Sequence, residues 1–134
     1  MNHLRNMGTV FAKTRTVWEN YAPEAITRGR PAKKDFVGWT GIGPIVYLIE
    51  YAIGIKADGI AGRIVWDVAS ASRVGVERFW FGGTTVDLVC TAADENGKRT
   101  LKVTSDKPFA LIVNWKGRQT RIAVPAGREV ARQL

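Results

Sequence analysis

Apolar residues recur at three- and four-residue steps near the start of the chain. Leu4, Met7, Val10/Phe11, Thr14 and Val17/Trp18 share one helical face, with Arg5, Lys13 and Arg15 largely off it. The pattern predicts a helix over residues 2–18, with Asn2 placed to cap its start. Residues 19–43 lose the periodicity. Pro23 and Pro31 forbid a regular helix there, and Gly29, Gly38, Gly41 and Gly43 punctuate a loop. The loop is longer than most connections inside a compact domain, which points to a functional segment. Tyr21, Phe36 and Trp39 lie in it, and Trp18 stands just before it. "GPIVYLIEYAIGI" predicts a second helix, with Pro44 suited to its first position and Gly54 to its stop. Only Glu50 is charged along it. A helix apolar nearly all round is expected to be buried among other helices.

From about residue 62 the period shortens. "GRIVWDV", "RVGVERFWF", "TTVDLVCTA", "RTLKVTS", "FALIVNW", "QTRIAVPA" and "REVARQL" are short, often alternating, and rich in β-branched and aromatic residues. Turn residues separate them: "FGG", "DENG", "SDKP", "KG" and "PAG". Strands at this spacing predict an antiparallel meander or sandwich. The chain is therefore read as α+β, changing from helix to strand near Lys56–Ala61, with a helical piece over residues 1–57 and a β domain over 60–134.

Composition narrows the chemistry. The 134 residues fit one domain or two very small ones, and 46% hydrophobic with 24% charged residues is a globular composition. No apolar run is long enough to cross a membrane as a helix. The first residues lack the apolar core and cleavage site of a signal peptide, which favours the cytoplasm. One cysteine, Cys90, and one histidine, His3, leave no set for a zinc site or a histidine-assisted nucleophile, and no metal or other cofactor is expected. Cys90 reads as a buried small hydrophobe. The net charge of +8 raises nucleic acid as a partner. The positives are mostly scattered, however, and the cluster Arg28, Arg30, Lys33 and Lys34 comes with no RNA- or DNA-binding signature, so neither nucleic acid nor membrane is expected as a partner. Trp66, Trp80 and Trp115 fall in strands and read as core, with an exposed Trp80 or Trp115 able to offer a sugar a stacking platform.

The stretch "TVWENYAPE" sets a carboxylate, Glu19, and an amide, Asn20, between Trp18 and Tyr21. From the residues alone, Glu19 reads as a helix-end carboxylate paired with Arg15. The order of helix, "WENY", loop, "DFVGWTGIGP" and apolar helix resembles the last part of the catalytic domain of (α/α)6-barrel glycosidases. It is most similar to glycoside hydrolase family 63 and the mannosylglycerate hydrolase-like group, with trehalases as more distant kin. "GWTGIGPIVYLIEYAIGI" is the most specific part of the match, and the β domain is similar to the sheet domain that follows such barrels. The resemblance implies that Glu19 is a catalytic general base. It also implies that Trp18, Tyr21, Phe36 and Trp39 line a sugar pocket with Asn20 as a polar support.

These expectations combine into a C-terminal fragment of an inverting glycoside hydrolase acting on α-glucosidic or related bonds. Residues 1–57 would be terminal helices of an (α/α)6 barrel and the rest a small antiparallel sandwich. Its partners would be a glycoside or oligosaccharide and the missing N-terminal barrel portion, which in this family carries the general acid. Glu24 and Asp35 are poor stand-ins for that acid, so the chain alone is expected to be inactive. The alternative reading is a non-catalytic β-rich module that binds carbohydrate or docks on protein.

Overall fold

The computed structural model describes residues 2–22, 24–30 and 41–134. The chain forms two compact units, Met1–Ala52 and Ile53–Leu134.

In the first unit, α1 (Asn2–Thr14) buries Met7 and Val10. It ends four residues before the apolar pattern does. Arg15 turns to φ 56°, and its N–H donates to the Phe11 carbonyl at 2.7 Å. A left-handed residue of this kind closes a helix. The Thr14 hydroxyl donates to the Val10 carbonyl and accepts from the Thr16 N–H, which competes with further helix. Val17 and Trp18 continue the apolar spacing without continuing the helix. Beyond them, Tyr21 and Arg28 pair as a short antiparallel bridge.

α2 (Ile42–Val46) continues as a π-helical stretch over Tyr47–Ile53. The expected burial does not occur among the described residues. Ile42, Ile45, Tyr47, Leu48 and Tyr51 are all exposed, Tyr51 to 69%. Nothing in two helices this short identifies them as turns of an (α/α)6 barrel; they make this an α+β chain dominated by strands.

The second unit is two sheets. One has the order β1-β2-β6-β7, from β1 (Ile55–Asp58), β2 (Arg63–Asp67), β6 (Phe109–Trp115) and β7 (Arg118–Val124). The other has the order β3-β4-β5-β8, from β3 (Val74–Phe81), β4 (Thr84–Cys90), β5 (Thr100–Ser105) and β8 (Val130–Gln133). β1 begins at Ile55, inside the stretch whose pattern predicts helix. Every pair is antiparallel except β2 with β6, which run parallel because the chain between them builds β3, β4 and β5 of the other sheet.

Strand alternation makes the core. Ile64, Trp66, Leu111, Val113, Ile122 and Val124 of the first sheet are buried, as are Val86, Leu88, Cys90, Leu101 and Val103 of the second. Phe81 and Phe109 meet edge to face across the sheets with ring centroids 5.5 Å apart. The β1–β2 and β3–β4 turns also touch. A Cβ on Gly59 would stand 2.8 Å from the Gly82 Cα, so neither turn has room for a side chain there. This arrangement is sandwich-like.

Candidate functional site

Glu19 follows the end of α1 and is only 9% exposed. Taking a carboxylate out of water is costly, and proteins accept that cost at few positions, many of them functional. The neighbours are fixed by their own hydrogen bonds. The Trp18 indole N–H donates to the Thr14 hydroxyl at 3.1 Å, and the Trp18 backbone N–H donates to the Tyr21 hydroxyl at 3.1 Å. The Asn20 side-chain amide donates to the Arg30 carbonyl at 2.9 Å, and the Asn20 backbone carbonyl accepts from the Gly29 N–H at 2.8 Å. Asn20 therefore ties residues 20 to 30 together.

Arg28, read from sequence as part of a basic loop cluster, stacks its guanidinium 4.3 Å from the centre of the Trp18 ring. That cation–π contact covers one face of the indole. No pattern in the sequence announces this pairing, because it joins residues across the Tyr21–Arg28 bridge. Of the sequence-derived site residues, Trp18, Glu19, Asn20 and Tyr21 follow the end of α1 in one short segment. Phe36, Trp39, Asp35, Lys33 and Lys34 lie outside the described residues. Glu24 is exposed.

The same unit holds an apolar groove of about 340 Å³ lined by Met7, Phe11, Val17, Tyr21, Ile45 and Leu48, among others. Glu19 is not part of its lining.

In the second unit the tryptophans divide. Trp66 is fully buried, and its indole N–H donates to the Ile53 carbonyl at 3.0 Å. Trp115 is partly buried beside Arg99. Trp80 is 67% exposed. Cys90 is buried, which pushes its thiol above the ordinary range, with the nearby Arg99 guanidinium partly opposing the shift. A neutral, enclosed thiol is a packing residue rather than a nucleophile. Among the described residues no group of three or more His, Cys, Asp or Glu could hold a metal ion, and no helix is long and apolar enough to cross a membrane. Comparison of the chain with protein-family models, curated proteins and solved structures finds no match.

Proposed function

We propose that this chain carries the general-base half of an inverting glycosidase active site, as its resemblance to glycoside hydrolase family 63 implies. The observation that carries the reading is the burial of Glu19 between two anchored aromatic residues at the end of α1. In an inverting reaction, one carboxylate takes a proton from the water that attacks the anomeric carbon. A carboxylic acid roughly 6.5–9.5 Å away protonates the departing oxygen. Glu19 is assigned the first role. The Trp18 and Tyr21 rings cover the sugar, with Phe36 and Trp39 as further walls. The acid comes from the barrel portion that the resemblance puts upstream. The exposed apolar side chains of α2 and the π-helical stretch support that arrangement, since exposed apolar side chains grouped on one segment commonly mark a surface that meets a partner.

The test introduces Glu19→Gln at the native locus and purifies both proteins with an antibody against residues 60–134. Release from a panel of p-nitrophenyl α-glycosides is then measured, with the product anomer read by proton NMR. The wild type is expected to release the inverted sugar. The variant is expected to lose about 100- to 10,000-fold in kcat with KM little changed. No wild-type turnover, or equal turnover in the variant, refutes the assignment. The second reading, a non-catalytic carbohydrate-binding module, is favoured by one separate observation: the exposed Trp80 on the sheet of the second unit.

A further inference from the structure

Strand β3 contains an irregularity that decides where Trp80 points. Val74 pairs with Cys90 and Val76 with Leu88, so both face the core. Continued alternation would send Arg78 and Trp80 inward as well. Instead the register slips, and Glu77 and Arg78 together oppose Asp87 before Phe79 pairs with Val86. This β-bulge turns Phe79 and Phe81 toward the core and Trp80 outward. Arg78 takes the strained conformation the bulge needs, at φ 54°. That conformation is disfavoured for any residue with a Cβ. The Asp87 carboxylate holds it there, accepting from the Arg78 backbone N–H at 2.6 Å. Backbone strain thus sustains a large aromatic ring in water, a combination that ordinary packing does not call for.

The same outer face carries a shallow trough with polar and charged side chains along it. Trp80 pairs directly with Thr85, so both project from the same outer face. Next to them is a depression of about 320 Å³ whose walls include Arg78, Thr85, Asp87, Thr104 and Asp106. It adjoins a second of about 410 Å³, which shares Asp87 and Thr104 and continues past Val89 to Thr91 and Lys102. From Thr85 to Thr91 the strand rise gives a length of about 20 Å. The Asp87 carboxylate also accepts from the Thr104 hydroxyl at 3.0 Å, and Asp106 accepts from the Thr85 N–H at 2.7 Å. Each carboxylate keeps further lone pairs for a ligand.

The charge balance selects among ligands. On a chain of net charge +8, Arg73, Arg78 and Lys102 in this trough are outnumbered by Glu77, Asp87, Asp106 and Glu129. Arg73 and Glu77 pair with each other at 3.2 Å. A polyanion would meet the carboxylates, and an apolar helix would leave the floor of the trough unpaired. A pyranose chain fits both features, with C–H faces for the indole and hydroxyl edges for carboxylate, threonine and lysine. We propose that the outer face of β3, β4 and β5 binds a neutral oligosaccharide, with Trp80 as its stacking platform and Asp87, Thr104 and Lys102 as partners for its hydroxyls. The site does not use Glu19 and stands apart from the glycosidase reading.

The experiment titrates the 134-residue chain with maltoheptaose, cellohexaose and xylohexaose, following tryptophan fluorescence and heat. At least one is expected to bind at millimolar concentration or below and to quench the fluorescence, with little dependence on salt. Trp80→Ala is expected to weaken that binding about tenfold or more. Trp80→Phe, which keeps a ring, is expected to lose less. Because Trp80 is exposed, both variants should melt as the wild type does. Binding of none of the three sugars, or equal binding by Trp80→Ala, overturns the proposal. So does preference for single-stranded DNA with steep salt dependence, which would mark a phosphate surface. Trp80-dependent binding without hydrolysis by the native protein sinks only the Glu19 assignment, and hydrolysis without such binding sinks only this one.

Discussion

Arg99 carries more structure than its place in the sequence suggests. It is 1% exposed, with its three nitrogens donating to the carbonyls of Thr91, Ser70 and Ser72, and its guanidinium 5.1 Å from the Trp115 ring centre. One side chain therefore clasps the segment before β3 to the connection between β4 and β5. Arg99→Met would leave these acceptors without their donors, at an expected cost of roughly 3 kcal/mol, read as a fall in the urea midpoint. Arg99→Lys should recover little, because an ammonium lacks the fork that reaches carbonyls on separate segments. In "ENGKRT" nothing distinguishes Arg99 from Lys98, since the turn residues predict a hairpin with solvated charges. A buried cation satisfied by backbone carbonyls has no sequence partner to betray it. Glu19 is the contrasting case. Its aromatic neighbours adjoin it in the chain, so the turn around it was legible, while the Arg28 contact that closes one face of Trp18 was not.

Elements were legible where one period ran unbroken. The alternation in β4 and β5 sets apolar against polar positions, and Gly54 was readable as a helix stop. The structure adds a second reason for that glycine. At φ 90°, a Cβ on Gly54 would lie 2.1 Å from the Asp67 carbonyl oxygen, and its own carbonyl accepts from the Asp67 N–H at 2.9 Å. Gly54→Ala combines backbone strain with a clash against β2. We expect it to cost at least about 2 kcal/mol, seen as a lowered melting temperature. The bulge in β3 was not legible. "VGVERFWF" contains no glycine or proline at the slip, and the register is decided by Asp87, a residue on another strand. The π-helical turn was hidden for a related reason. Apart from Glu50, "YLIEYAI" is apolar all round, and such a run fixes neither the hydrogen-bond step nor the face that packs.

At the scale of the whole chain, the change from helix to strand and the two-sheet unit followed from the change of period, while the parallel β2–β6 pair did not. That pair is locked by Asp67, which accepts from the Asn114 side-chain amide at 2.6 Å and meets Lys56 at 3.2 Å. The Asn114 hydrogen bond holds the Asp67 carboxyl below its ordinary range, with partial burial opposing and Lys56 adding to the effect. The unfolded chain takes up this proton near pH 3.9 while the folded chain does not, so the stabilisation is present above that pH and fades as pH falls through the lower folded value. Melting curves below about pH 4 should therefore drop faster for the wild type than for Asp67→Asn, and parallel curves would count against the assignment.

The same parallel pairing has a consequence in time. Between Asp67 at the end of β2 and Phe109 at the start of β6, the ribosome must add all of β3, β4 and β5. At 5–20 residues per second this takes roughly 2–8 s. For that interval the β1–β2 hairpin is out of the ribosome ahead of its partner, with Ile55, Ile64 and Trp66 uncovered and a bare edge on β2. The window in which this chain is open to chaperones, and to its own aggregation, is set by the order in which its strands are made.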